Sequence, residues 1–546
     1  MDRLKQWWGA TRRPLGSEWI ALLAALFFTV ACNAAFWRAL AATPAWDGAA
    51  GWRLAAGLFF GMLALHAALL LVLLNRWTLK WLLPLILLVT ASAVFYMTRY
   101  RVYIDPEMIR NVLATERKEA AELLAPGLML TLLLYGVLPS ILVWCLRPVR
   151  RSVARGLLVH AAGIALALLV AAAAIGLSYQ PMAAFMRNEK PLRYLIAPGN
   201  WMAALAKVAM DDGGQREPKA DIATDAVLQR PPAVRPRVLL LVVGETVRAQ
   251  NWGLNGYARQ TTPELAKLDG INYPDVTACG SNTEVSLPCM FSAQGLRGYD
   301  RREIRHSQSL LHLLDRLGIA TLWRDNQTGC KGICSGLPFE SFLDAAIPGD
   351  CNAERCLDQV LLRDLKARIE ALPGDAVVVL HMLGNHGPAY YKRYPPEFRR
   401  FTPTCDTDQL GDCSRDAIVN AYDNSILYAD TVVADAVRLL ESLAPGRDTA
   451  LLYLSDHGES LGEGGLYLHG VPRAIAPDNQ LKVPMWLWLS PQLRAADGID
   501  QGCLRERSSN PRTHDAMFST VLGLMRVRST ARNPELDLMH GCRTGG

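Results

Sequence analysis

Two kinds of apolar patterning divide the chain near residue 180. Before that point Leu, Ala, Val and Phe dominate, and five apolar runs cover 18–40, 53–75, 79–98, 122–146 and 156–178. Each approaches the roughly 20 residues that cross a bilayer as a helix. A secretory signal peptide would account for the first run only. The runs therefore predict an α-helical membrane domain of five transmembrane helices over residues 1–180. Residues 102–122, VYIDPEMIRNVLATERKEAAE, have helical spacing and are expected to lie on the membrane surface. Residues 181–236 read as a juxtamembrane helix, with Trp201 at an interface, followed by a polar, Pro- and Gly-rich linker over 212–236.

From residue 237 to 546 short apolar runs alternate with amphipathic stretches. Strands are expected at 237–245, 319–325, 376–386, 449–457 and 483–490, and helical patterns at 308–317, 356–371 and 417–443. Continuous apolar strands alternating with helices predict an α/β domain with a mostly parallel central sheet covered on both faces. Ligands of such sheets bind outside the carboxyl ends of the strands. Three of these runs end in polar groups at that position: Glu245, His386, and Asp456 with His457.

Charge and cysteine content add orientation. Arg3, Lys5, Arg12 and Arg13 precede the first run; Arg76 and Lys80 lie between the second and third, and Arg147, Arg150, Arg151 and Arg155 between the fourth and fifth. The loop after the third run is mixed, with Arg99, Arg101 and Arg110 beside Asp105, Glu107 and Glu116. Basic loops stay in the cytoplasm. The N-terminus is thus expected to be cytoplasmic, and an odd number of spans puts the large soluble part outside. Of twelve cysteines, Cys32 and Cys145 fall in apolar runs. The other ten lie in the soluble part, mostly as close pairs: Cys279 and Cys289, Cys330 and Cys334, Cys351 and Cys356, Cys405 and Cys413, with Cys503 and Cys542 remaining. An even, clustered set fits disulfides of an oxidising compartment. Zinc is the rival reading of such pairs, but C-x-x-C knuckles are absent; the pairing itself stays open. A bacterial periplasm is the simplest location. The net charge of +6 suits anionic lipid headgroups, and no nucleic-acid motif is present.

Glu245, Asp456 and His457 are ligand types that suit zinc. The rival reading has Asp456 capping a helix, which explains neither Glu245 nor the further histidines. A fourth group lies in TACGSNTEVSLPCMFS, residues 277–292, where Ser281, Thr283 and Ser286 are candidate nucleophiles. A bound metal that acidifies water would equally favour an alkoxide. An ordinary helix N-cap is the alternative for any of these hydroxyls.

Five stretches, in order, settle the choice: VVGETVRAQNWGLNGYARQTTPEL, CGSNTEVSLPCMFS, WRDNQTGCKGICSG, HMLGNHGPAYYKRYP and YLSDHGESLGEGGLYLHG. Together they resemble the signature blocks of the phosphoethanolamine transferases that modify lipid A, a family that includes the mobile colistin-resistance enzymes. The resemblance implies an alkaline-phosphatase or sulfatase-like catalytic domain. It implies that Thr283 is the nucleophile and becomes covalently modified. It implies Glu245, Asp456, His457 and the Thr283 oxygen as ligands of Zn2+, with His386 and His469 contacting the phosphoryl group or a second zinc. Lys331 and Asn282 match residues near the phosphate. The donor would be phosphatidylethanolamine, the acceptor lipid A, and the protein a monomer of the bacterial inner membrane. The product would be less anionic, which gives polymyxin resistance. Two residues depart from the expected pattern: Glu284 where a small residue is expected, and Gly464 in a loop often written with Asn. Transfer to another envelope glycan (Kdo or core heptose) is the near alternative. A hydrolase or sulfatase on the same fold is the nearest rival; a sulfatase would want a Cys or Ser in a C-x-P-x-R setting, which LPCMFS lacks. A glycerol-phosphate polymerase and a catalytically dead membrane sensor complete the field.

Overall fold

A computed structural model describes residues 14–115, 117–212, 219–229, 235–352 and 355–543. Arg3, Lys5, Arg12, Arg13, Glu116 and parts of the expected linker over 212–236 lie outside the described residues. The chain forms two compact units, one of Met1–Ile109 with Leu124–Ala209, the other of Arg110–Leu123 with Met210–Gly546.

Among the described residues of the first unit, four helices are long and apolar enough to cross a membrane: Gly48–Leu73, Leu79–Arg99, Pro126–Cys145 and Val153–Leu177. The pair Ser17–Cys32 and Ala34–Ala41, bent by 50°, passes the same test when taken together, so the spans number five if the pair is one broken span and four if it is a re-entrant loop. The bend falls at Asn33. Its side chain donates to Phe28 O at 2.8 Å and exchanges two bonds with the backbone of Ala197, at 2.7 and 2.8 Å. A side chain engaged with the backbone in this way interrupts a helix with no loss of buried hydrogen bonds. Phe28, Phe36, Leu54, Leu70 and Leu83 pack the interior, while Leu157, Leu158, Leu169 and Leu177 are exposed, as lipid-facing residues would be. The expected juxtamembrane helix is three pieces instead: Tyr179–Asn188, the 3-10 turn Lys190–Leu195, and Gly199–Asp212. Pro191 and Pro198 lack the N–H a continuous helix needs, which accounts for both breaks.

The second unit is built on an eight-stranded sheet. Its strands, in chain order, are β1 (Arg237–Gly244), β2 (Ile271–Thr277), β3 (Ala320–Asp325), β4 (Phe339–Ser341), β5 (Ala376–His381), β6 (Asp448–Ser455), β7 (Lys482–Leu489) and β8 (Arg512–Thr513). Their spatial order is β8-β2-β7-β6-β1-β5-β3-β4. Only β7 runs antiparallel to its neighbours, β2 and β6. Every residue of β1, β5 and β6 is buried, as in a sheet covered on both faces. Alternation along β1 divides its side chains. Leu239, Leu241 and Val243 face one core with Phe518 and Leu522; Val238, Leu240 and Val242 face another. That second core includes Ile418, Tyr422 and Ile426 of the long helix Arg415–Leu443. Ser414 caps this helix by accepting from Ala417 N. The expected amphipathic stretch 356–371 is a 3-10 turn, Asp358–Leu362, and a helix, Leu365–Ala371, parted at Asp364, whose φ is +53°. Five disulfides join Cys279–Cys289, Cys330–Cys334, Cys351–Cys356, Cys405–Cys413 and Cys503–Cys542.

Candidate active site

The parallel pairing of β1 with β6 sets Gly244 opposite Ser455, so the next residues, Glu245 and Asp456, leave the sheet side by side. Asp456 N donates to Gly244 O at 2.9 Å and prolongs the ladder by one bond. Behind Glu245 the chain reverses through Thr246, at φ +56°. Tyr422 of the long helix fixes that turn, donating to Thr246 O at 2.5 Å and accepting from Arg248 N at 3.0 Å. The loop after β5 passes close by at Gly384, where φ is +56° and a Cβ would stand 2.7 Å from Glu245 O. Only glycine suits such a position.

Asp456 caps no helix. Its Oδ1 accepts from Thr246 N and His457 N, and the chain continues into the short strand Ser460–Leu461. Ligand atoms of Glu245, Asp456 and His457 all lie within 4.8 Å of one another, and the three side chains are fully buried. Nε2 of His457 is 3.3 Å from both Glu245 Oε1 and Asp456 Oδ2. Its Nδ1 lies 2.9 Å from Gly458 O, a carbonyl that can only accept. The proton therefore sits on Nδ1, and the Nε2 lone pair faces two carboxylates. Asp456 Oδ2 makes no hydrogen bond. Three lone-pair donors converging out of water repel one another, and a divalent cation is what such a set accommodates. Burial pushes the Glu245 carboxyl up; burial and then the adjacent Glu245 raise Asp456 to about 6. Burial holds His457 below its ordinary range.

The nucleophile candidates separate cleanly. Helix α1, Thr283–Met290, is capped by Asn282, whose Oδ1 accepts from Val285 N at 3.0 Å. Ser281 donates to Val471 O, and Ser286 bonds both N and O of Gly280. Thr283, relieved of capping, places Oγ1 3.2 Å from Glu245 Oε2 and 3.3 Å from His457 Nε2. The Cys279–Cys289 bond brackets this turn.

The ring of His469 lies tilted against that of His457 with centroids 4.5 Å apart, and the His386 ring stands 5.3 Å from His469. Burial opposes a His469 cation, but Glu459, 3.4 Å from Nδ1, with Glu245 and Asp456, raises it to about 9. Burial and the neighbouring His469 keep His386 neutral. Its carbonyl accepts from Arg393 Nε at 2.6 Å, and Arg393 pairs with Glu122 at 2.6 Å. Lys331 is not gathered into this cluster; its ammonium donates to Thr328 Oγ1 at 2.6 Å.

Two participants escaped the sequence reading. Glu459 is fully buried, and neither carboxylate oxygen makes a hydrogen bond. His381, at the end of β5, pairs with Asp325 at 2.7 Å, both out of water. Both histidine and acid lie inside quoted stretches, yet their partners are set only by the fold.

The family described as Sulfatase matches residues 237–527, which places the catalytic unit in that class. The family described as Phosphoethanolamine transferase EptA/EptB matches residues 62–212. Phosphoethanolamine transferase EptA of Salmonella typhimurium is 40% identical over 474 residues, 86% of each chain. Phosphatidylethanolamine transferase Mcr-1 of Escherichia coli is 35% identical, covering 94% of this chain and 96% of its own. The integral membrane protein lipooligosaccharide phosphoethanolamine transferase A (EptA) of Neisseria meningitidis superposes with a TM-score of 0.92 at 36% identity, over 97% of this chain and all of that one. The chain belongs to the phosphoethanolamine transferase family and is an enzyme of that type.

Proposed function

We propose that this enzyme moves phosphoethanolamine from phosphatidylethanolamine to lipid A through a covalent intermediate on Thr283, at the outer face of the bacterial inner membrane. The carrying observation is that Thr283 Oγ1, alone among the three candidate hydroxyls, faces the carboxylate–imidazole cluster. The names of relatives support the acceptor: one is a lipooligosaccharide phosphoethanolamine transferase, another a Kdo(2)-lipid A phosphoethanolamine 7''-transferase. The basic loops favour a cytoplasmic N-terminus, with residues 181–236 linking the membrane domain to a periplasmic catalytic domain over 237–546.

Glu245, Asp456, His457 and the Thr283 oxygen would hold zinc. Bound there, it would supply the Lewis acidity that makes a threonine hydroxyl reactive near neutral pH. Thr283 Oγ1 attacks the phosphorus of the donor phosphodiester. The bond from phosphorus to the glycerol oxygen breaks, and diacylglycerol leaves with a proton supplied from the His469–Glu459 pair. The Thr283 proton passes toward Glu245, whose Oε2 is 3.2 Å away. A sugar hydroxyl or a protonated phosphate oxygen of lipid A then attacks the threonine phosphodiester and gives its proton to His469; the bond from phosphorus to Thr283 Oγ1 breaks, and Oγ1 takes back the proton held at Glu245. His386, His469 and the side-chain nitrogen of Asn282, whose oxygen caps the helix, are assigned to the phosphoryl oxygens, or the two histidines to a second zinc; Lys331, held against Thr328 outside the cluster, carries that assignment from the resemblance alone. Splitting the transfer into two displacements lowers each barrier.

The amine added to lipid A offsets anionic charge, the basis of polymyxin resistance. Mass spectrometry of lipid A from cells expressing the native chain or T283A tests the reading. The native chain adds one phosphoethanolamine mass and T283A adds none; unchanged lipid A with folded, inserted native enzyme refutes the acceptor assignment.

A further inference from the structure

Helix α1 carries an unusual defect one residue beyond Thr283. The carbonyl of Glu284 should accept from the N–H four residues on, but that residue is Pro288, which has none. The missing donor comes from elsewhere: Arg305 Nη2 donates to Glu284 O at 3.0 Å. The same nitrogen also binds the Glu284 carboxylate, which Arg301 approaches at 3.6 Å. The other terminal nitrogen of Arg305 donates to Lys331 O at 3.0 Å. Lys331 sits at φ +49°, a conformation that needs outside support in a non-glycine residue. Lys219 adds to that support through Gly332 O at 2.5 Å. Glu284 is therefore no obstacle at the acceptor side; its carboxylate is occupied as the counter-ion of Arg305, and both side chains are largely buried.

We propose that Arg305 is a positioning residue for the transfer reaction, fixing the turn of Thr283 and the loop of Lys331 to each other, with Glu284 holding its guanidinium in place. The inference rests on Thr283 being the residue loaded. A guanidinium is a planar fork whose two ends reach separate carbonyls; an ammonium is a single point. The prediction is therefore specific to arginine.

The test uses the full-length enzyme in lipid nanodiscs with phosphatidylethanolamine, following the mass added to Thr283 with time. R305K and R305A should slow loading roughly 10- to 100-fold, the scale of a small misplacement of reacting groups. The donor concentration giving half-maximal rate and the bound zinc per chain should stay close to native. E284Q keeps an acceptor for the guanidinium and should lose less than E284A. A purely structural role would lower the melting temperature and leave the loading rate of folded enzyme untouched. Native loading by R305K overturns the inference. If R305A does not fold, R305K decides alone, and native loading by it refutes the inference. Absence of loading in the native enzyme refutes the Thr283 reading instead, a result distinct from the first.

Discussion

Oγ1 of Thr283 and Oε2 of Glu245 lie 3.2 Å apart, although 38 residues separate them. One side chain opens a helix capped by its predecessor, and the other ends a buried strand. Replacing the hydroxyl should therefore remove covalent loading and leave the fold intact. T283A is expected to lose at least about a thousandfold in loading rate, as enzymes do without their nucleophile. T283S keeps an oxygen in the same place and should retain measurable loading. Intact-protein mass after incubation with phosphatidylethanolamine reads both. Loading of T283A at another residue would show that Ser281 or Ser286 can do the same work.

The buried pair Glu245 and Asp456 predicts how the enzyme answers to metal removal. Chelation should abolish loading and lower the melting temperature, and zinc should restore both. A ligand present at about a thousand times its dissociation constant contributes about 4 kcal/mol. D456N gives the sharper outcome. Its amide keeps Oδ1 for Thr246 N and His457 N and puts a donor where Oδ2 now meets Glu245 and His457. Metal-free D456N should melt higher than metal-free native enzyme and should gain nothing from zinc. Calorimetry with and without zinc distinguishes the two; an equal gain from zinc in both would exclude Asp456 as a ligand.

Why some of this was legible in the sequence and some was not follows from range. β1, β5 and β6 are unbroken apolar runs, so burial on both faces could be read locally, and the groups just past their ends followed. β2, INYPDVT, has few apolar residues and contains Pro274, so it lacks the unbroken apolar run by which the expected strands were read; its pairing with β7 on one side and β8 on the other makes it a strand. The family resemblance put Asn282 near the phosphate; that its side-chain oxygen also caps the helix could be read only from the fold. Glu459 sits two residues from His457 in plain view, but its partner His469 arrives at the end of a nine-residue hairpin, Ser460–Leu461 paired with Tyr467–Leu468. The bond from Arg305 to Glu284 could not be read at all, since it links two segments whose approach depends on the whole unit.

His514 predicts an acid limit to stability. Its Nδ1 accepts from Cys279 N at 3.1 Å and its Nε2 donates to Ser455 O at 3.0 Å, so both nitrogens are used by the neutral ring. Burial, the largest effect, pushes it down from 6.5 to about 3. The folded state thus binds this proton less readily than the unfolded state. The stabilisation is complete above pH 6.5 and is lost progressively as the pH falls toward 3. At about 1.4 kcal/mol per pH unit, roughly 2 kcal/mol should be gone by about pH 5. H514Q can make both hydrogen bonds without titrating. Its melting temperature should fall less than that of native enzyme between neutral pH and pH 5, as read by scanning calorimetry; parallel falls would exclude His514 as the cause.

Glu459 gives a prediction in which activity and stability move apart. It is completely buried, its oxygens have no hydrogen bonds, and its nearest cationic neighbour is His469 Nδ1 at 3.4 Å. A carboxylate held in that way is unfavourable on its own and gains only through the charge it induces on the imidazole. E459Q removes the negative charge at nearly constant volume. The burial penalty is relieved, so the melting temperature should stay level or rise. His469 loses the partner that keeps its proton, so loading of Thr283 should fall roughly a hundredfold, the scale of a lost general acid. E459D keeps the charge on a shorter arm and should recover part of the rate. Stopped-time mass spectrometry measures loading, and calorimetry on the same preparations measures stability. If E459Q loaded at the native rate while His469→Ala did not, the acid would be a packing residue, and His469 would act without it.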